Sequence, residues 1–166
     1  MHSNHRNTYT HYLRLLIKLV SKLDEQAGDD SSFLHARLTP DMFPLNVQAR
    51  AAAFFALRAC AAGKNDDFPN AGSRINSPDG LNAYLSEVIE FIDRVTEPFP
   101  EQIDDKAGFK AVSLPTDDYV HLFSLPNFFF HLSMVYAIAK QQGFRVTKGD
   151  FDGIHEYPED FSWEKG

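Results

Sequence analysis

Apolar side chains recur at three- and four-residue steps in four separate segments, and this repeat constrains the fold more than any other feature. In the first segment, for example, Leu13, Leu16 and Val20 share one helical face. Such spacing is typical of amphipathic helices that bury one side. The pattern predicts four main helices, near residues 8–27, 44–62, 78–97 and 126–142. Four helices of similar length joined by loops predict an all-α fold, an up-down-up-down four-helix bundle with short irregular insertions.

Proline, serine and glycine mark where these segments begin and end. Ser77 offers a capping side chain, and Pro78 suits the first turn of the third helix. Gly28 and Gly143 follow two segments at the position where a left-handed residue commonly ends a helix. These signals support the predicted boundaries independently of the apolar repeat.

Two stretches lie outside the helical pattern. Residues 101–118 have no clean period, and we expect solvated loop acids at Asp104 and Asp105. A short extended piece is expected in the same stretch, at Phe109, Val112 and Leu114. Residues 1–153 are assigned to one domain and 154–166 to an acidic, aromatic tail. The stretch from Gly149 onward is expected to pack on the rest of the protein through Phe151, Tyr157, Phe161 and Trp163.

Composition excludes several classes of protein. A chain of 166 residues with 43% hydrophobic residues can bury a core of its own. Acidic residues outnumber basic ones by seven, which argues against a nucleic-acid groove built on lysine and arginine. The apolar stretches read as too short and too interrupted to cross a membrane. With a single cysteine, Cys60, no internal disulfide is possible, so a reducing cytoplasm is expected.

A polar group stands out within the apolar fourth segment. Asn127 and His131 are four residues apart, so they share one helix face. Gln48 lies between apolar positions of the second segment and is expected to point inward. These three side chains are candidates for a polar pocket between facing helices. The alternative, which the residues alone favour, is a satisfied hydrogen-bond network within the core, because an unpaired buried polar group is unfavourable.

A metal site would need more ligands than this pair supplies. Only His35, Asp41 or His121 could add a third ligand for zinc or nickel. No HExxH, paired CxxC or EF-hand spacing occurs in the chain. The pocket candidates are therefore Gln48, Asn127, His131, His121 and Asp41. No bound metal is expected, and His131 would be the ligand if there were one.

Two longer phrases carry a resemblance to a known family. Residues 37–48, RLTPDMFPLNVQ, and residues 123–131, FSLPNFFFH, resemble the two signatures of a bacterial domain-of-unknown-function family. The ending from Lys140 to Gly153 is similar to the close of that family, so the resemblance covers about residues 8–153. The family belongs to the DinB/YfiT-like superfamily of four-helix bundles. The resemblance therefore implies the same fold, in a protein that is commonly a homodimer.

The resemblance also implies where a metal would sit. Many superfamily members hold a divalent metal on three histidines, one from the second helix and two at i and i+4 on the last. Some use it in thiol S-transferase chemistry. His131 matches one of the last-helix pair, whereas Asn127 stands at the other position. The second-helix histidine is absent, with Gln48 or Asp41 nearby.

Two functions from different classes follow. The first is a dimeric, non-catalytic or small-ligand-binding domain with a degenerate metal pocket. The alternative is a metal-dependent enzyme of the thiol S-transferase type, in which His131 acts as ligand or general base. Neither reading includes a nucleic-acid or membrane partner. The missing histidines favour the first.

Overall fold

The computed structural model describes residues 3–62 and 67–158, and this part of the chain is mostly helical. Four long helices carry the apolar repeats. They are α1 (Ser3–Ala27), α2 (Leu45–Cys60), α3 (Pro78–Arg94) and α5 (Leu125–Gln141). The shorter helices are α4 (Thr116–Asp118) and α6 (Lys148–Asp152). Two 3-10 helices, Ser31–His35 and Gly72–Asn76, lie in the connections.

The long helices lie close to the predicted positions, with two differences at their ends. The Ser77 hydroxyl accepts a hydrogen bond from the Gly80 N–H at 3.2 Å, so the predicted cap of α3 is confirmed. That helix ends at Arg94, three residues before the predicted end, because Val95 adopts an extended conformation. Helix α1 begins earlier than predicted, at Ser3. The chain after α1 and α5 turns at Gly28 and Gly143, which both have positive φ.

One core joins the long helices. Its largest fully buried side chains include Tyr9 from α1 and Phe128 from α5, whose rings meet edge to face at 4.9 Å. Tyr9 also donates a hydrogen bond to the Ser124 hydroxyl at 2.7 Å, and Ser124 donates to the Phe55 carbonyl at 3.0 Å. These two hydrogen bonds connect α1, Ser124 and α2 inside the core, in addition to the apolar packing between them. Cys60 is buried in this core, where burial raises the pKa of its thiol.

A β-hairpin interrupts the all-helical expectation. Strands β1 (Gln102–Ala107) and β2 (Lys110–Pro115) pair antiparallel, with Ala107 opposite Lys110. Gly108 has a φ of 62° at the first position of the two-residue turn, as a type II′ hairpin turn requires. The extended piece predicted near Val112 and Leu114 thus has a partner strand. The fold is mostly helical with a small two-stranded sheet, and the hairpin corrects the all-α prediction.

The helix after the hairpin is longer than the sequence pattern predicts. Thr116–Gln141 is helical throughout, and Tyr119–Ser124 forms a π-helical turn before α5. Pro126 has no N–H to donate to the Leu122 carbonyl, which explains a wider turn at this point. An 18-residue window of this run has a mean hydropathy of 1.4, enough for a membrane span by length and composition alone. The expectation that every apolar stretch is too short is therefore wrong, although one such helix is weak evidence for a span.

The end of the described chain folds back on α1. Thr147 and Asp150 form a capping box at the start of α6, and Lys22 donates to both Asp150 carboxylate oxygens at 2.8 Å. The Phe151 ring contacts the rings of Tyr12 and Tyr136, at centroid distances of 5.8 and 6.3 Å. In the predicted tail, Tyr157 stacks on His155. Phe161 and Trp163 lie outside the described residues.

Candidate functional site

Helices α2 and α5 bring Gln48 and His131 into direct contact. The Gln48 side-chain oxygen lies 2.7 Å from His131 Nδ1. Gln48 is only 2% exposed, and its amide nitrogen donates to the Phe43 carbonyl at 3.2 Å. Since Gln48 lies in the first turn of α2, the irregular chain before that helix holds the amide in place.

This hydrogen-bond chain defines which nitrogen of His131 carries the proton. A backbone carbonyl only accepts, so the Phe43 carbonyl must face the NH₂ group of Gln48. The Gln48 oxygen therefore faces His131 and accepts from Nδ1–H. In the neutral imidazole, Nε2 is left with its lone pair and has no hydrogen-bond partner among the described residues. The site thus presents one neutral nitrogen acceptor.

Aromatic rings flank the imidazole and keep it neutral. The ring of Phe55 stacks on that of His131, with centroids 5.7 Å apart and an angle of 24° between the planes. Phe130 meets the same ring edge-on at 5.2 Å. Burial in these apolar surroundings lowers the pKa of His131, because the charged form loses hydration. At neutral pH the side chain is therefore an acceptor or base, not a cation.

Asn127 lies on the same helix as His131 but bonds elsewhere. Its amide nitrogen donates to the Phe123 carbonyl, one turn earlier, at 2.7 Å. That carbonyl lies in the π-helical turn, where the ordinary helical bonding is disturbed next to Pro126. Within the described residues Asn127 makes no hydrogen bond to Gln48 or His131. Of the three side chains predicted to form one polar pocket, Gln48 and His131 bond each other, whereas Asn127 is half-buried and bonds its own helix.

The remaining candidates lie away from the pair. Asp41 is exposed and accepts a hydrogen bond from the Thr39 hydroxyl at 2.5 Å, which lowers the pKa of its carboxyl group. His121 is exposed on the π-helical turn, where its ring lies 5.0 Å from that of His5. His35 is exposed at the end of a 3-10 helix. Across residues 3–62 and 67–158, no three His, Cys, Asp or Glu side chains group to hold a metal.

A second polar cluster, which the sequence did not predict, joins α2 to the hairpin. Arg58 donates from Nε to Asp105 and from Nη2 to the Lys106 carbonyl, both at 2.6 Å, and the Tyr119 hydroxyl donates to the same carboxylate. The guanidinium also lies over the Phe55 ring at 5.3 Å. Burial alone would raise the pKa of Asp105, but the hydrogen bonds from Arg58 and Tyr119 outweigh it and lower that pKa. Asp105 is thus no solvated loop acid.

The comparisons with known proteins agree with this architecture. A crystal structure of a DinB family member from Shewanella denitrificans superposes with a TM-score of 0.76 over 92% of each chain. At 21% identity this likeness shows a shared DinB-like fold and nothing about activity. The chain belongs to the family described as Domain of unknown function (DUF1993), whose model matches residues 1–152. No curated protein matches the chain.

Proposed function

We propose that the protein is a dimeric, non-catalytic DinB/YfiT-like four-helix bundle that binds a small molecule without converting it. Its metal pocket is degenerate: the hydrogen bond between Gln48 and His131 takes the place of a metal shared by two helices. The 2.7 Å contact between the Gln48 oxygen and His131 Nδ1 is the observation that carries this proposal.

The ligand chemistry of the pair supports this reading. Tight zinc and nickel sites in proteins use several imidazole, thiolate or carboxylate ligands. Here His131 supplies one imidazole, whereas Gln48 and Asn127 supply neutral amides. The amide oxygen of Gln48 is already used by His131, and the amide nitrogen of Asn127 by its own helix. This set of side chains does not fit a tightly held divalent metal.

Exposed aromatic residues on and beside α2 and α5 support the dimer. Phe43 and Phe130 are 54% and 50% exposed. Large apolar side chains of this kind commonly lie at contacts between copies of a chain. We expect light scattering to give twice the monomer mass of 18.8 kDa. A Phe130→Ser variant should shift the mass toward the monomer, whereas exposed Phe109→Ser on the hairpin turn should not.

Metal analysis of protein purified without a nickel column tests the proposal. We expect zinc and nickel far below one per chain, and the same trace amount in a His131→Ala variant. One zinc or nickel per chain that survives dialysis, and that disappears in His131→Ala, would overturn it. Asp41→Ala serves as the matched control, because that exposed carboxylate lies near the start of α2 without bonding the pair.

The free nitrogen of His131 favours one alternative, an enzyme. A neutral imidazole with an unpartnered Nε2 and a lowered pKa can act as a general base near neutral pH. In that case Gln48 would orient the ring through Nδ1, as carboxylates do in other histidine bases. Thiol S-transferase activity that is lost in His131→Ala and weakened in Gln48→Leu would favour the enzyme.

A further inference from the structure

A cavity of about 490 Å³ lies between α2, α3 and the chain that joins them. Its size falls within the range of small-molecule sites, roughly 300–1,000 Å³. Two phenylalanine rings line it and contact each other edge to face, with the centroids of Phe54 and Phe68 6.2 Å apart. Arg50, Tyr84 and Asn70 supply the polar part of the wall, and the Asn70 side-chain oxygen already accepts from the Gly72 N–H. The cavity thus combines an apolar surface with hydrogen-bond donors, of which Arg50 and Tyr84 lie on the two helices.

The hydroxyl group of Tyr84 has no hydrogen-bond partner among the described residues. The residue lines the cavity although it is only 2% exposed. Burial raises the pKa of this phenol to about 12, so it keeps its proton at neutral pH. Its oxygen is not among the fully buried atoms that lack a partner in the described residues, which are Asn46 Oδ1 and Asn82 Oδ1, so the hydroxyl reaches the open space of the cavity. A ligand in the cavity would give this donor an acceptor.

Arg50 is the second donor, and it too has no hydrogen-bond or ion-pair partner among residues 3–62 and 67–158. Other arginines near the cavity differ in this respect. Arg58 bonds Asp105, and Arg74 forms a two-bond pair with Glu87 at 2.7 and 2.8 Å. Arg50 is close enough to Tyr84 to act on the pKa of the phenol. Its guanidinium is thus available to an anion that also reaches the phenol.

We infer that this cavity binds a small organic carboxylate whose aromatic or aliphatic body lies against Phe54 and Phe68. Arg50 would hold the carboxylate through the two-bond geometry that guanidinium groups favour. The Tyr84 hydroxyl would donate to the same group. A neutral amide of equal size would keep the apolar contact but lose the charge-assisted bonds.

The inference does not depend on Gln48 and His131. Arg50 and Phe54 lie on a different face of α2 from Gln48 and Phe55, as the 100° step between helical residues requires. Among the described residues, none that lines the cavity makes a hydrogen bond or a ring contact with His131. Failure of the metal experiment and failure of this inference are therefore separate outcomes.

Titration of the full chain with 3-phenylpropionate, followed by two-dimensional NMR, tests the inference. We expect shifts centred on the amides of residues 50–54, 68, 70–72 and 84. Arg50→Gln should weaken binding by about tenfold or more, since a charged hydrogen bond is lost. Tyr84→Phe should weaken it severalfold without loss of fold. Arg94→Gln is the matched control, because this exposed arginine lies at the far end of α3 from Tyr84.

Four results would overturn the inference. They are no binding at the highest soluble concentration, shifts centred on another region, equal affinity in Arg50→Gln, and equal affinity for 3-phenylpropanamide. If His131→Ala lost binding while Arg50→Gln kept it, the carboxylate would bind on the other face of α2. The amide spectrum of each variant reports its fold, so misfolding is distinguished from lost binding.

Discussion

Helix α2 presents polar side chains to two neighbours, and the two faces differ in how those side chains are satisfied. Toward α5 and the hairpin, Gln48 and Arg58 each bond partners that the fold supplies. Toward α3, Asn46 donates to the Ile75 carbonyl and to the Asn76 side chain, but Arg50 one turn later has no partner among the described residues. The Tyr84 hydroxyl has none there either. A polar group whose partner comes from the fold stabilises that fold, whereas an open donor is available to a ligand. The first face is therefore structural, and the second is where we place binding.

The largest effect is expected at Asp105, which accepts bonds from both Arg58 and Tyr119. Asp105→Ala should lower the free energy of unfolding by about 3 kcal/mol, because it leaves a mostly buried guanidinium without its counter-ion. Urea denaturation measures the change. Asp104→Ala, at the exposed neighbouring position of the same strand, loses only a solvent-exposed hydrogen bond from the Ser113 hydroxyl and should cost less than about 1 kcal/mol. Equal losses in the two variants would mean that the cluster does not hold the hairpin.

A smaller loss is expected for Gln48. Gln48→Leu removes the acceptor from His131 Nδ1 and the donor from the Phe43 carbonyl, at a cost of about 1–2 kcal/mol in unfolding free energy. The same measurement on Gln141→Leu, at an exposed position of α5, should show almost no change. A stabilised Gln48→Leu protein would contradict the structural role assigned to this face of α2.

The smallest effect is the pH dependence that His131 contributes. Its pKa is lower in the folded protein than in the unfolded chain, so the unfolded chain binds the proton more readily as the pH falls. The stabilisation is complete above the unfolded value of about 6.5 and is lost as the pH falls from there toward the folded value. The difference in unfolding free energy between the wild type and His131→Gln should change in that window. A difference that stays constant from pH 8 to pH 5 would contradict the lowered pKa.

The two faces of α2 also differ in how far the sequence predicts them. Gln48 and His131 could be paired in advance, since each sits on the apolar stripe of a strongly periodic helix near its start. Asn127 could not be placed, because its partner depends on the π-helical turn at Pro126. The position of Asp105 depends on a hairpin with no helical period. The sequence predicts only a short extended piece at Phe109, Val112 and Leu114, and not the partner strand that carries Asp105.

The cavity on the α3 side lay beyond sequence reasoning for another reason. Its walls come from α2, α3 and an irregular connection, and only folding brings Phe68 beside Phe54. Tyr84 lies on the apolar stripe of α3, where a tyrosine is expected simply to fill the core. Its unpartnered hydroxyl becomes visible only when the possible acceptors around it are known.

Two matched tyrosine variants test the contrast between the faces most directly. Tyr119→Phe removes a hydrogen bond to Asp105, and Tyr84→Phe removes a hydroxyl that has no partner among the described residues. Urea denaturation without ligand should show a loss of about 1–2 kcal/mol in unfolding free energy for Tyr119→Phe and no loss for Tyr84→Phe. An equal loss in both variants would mean that the fold already satisfies the Tyr84 hydroxyl, and the account of an open binding face would be wrong.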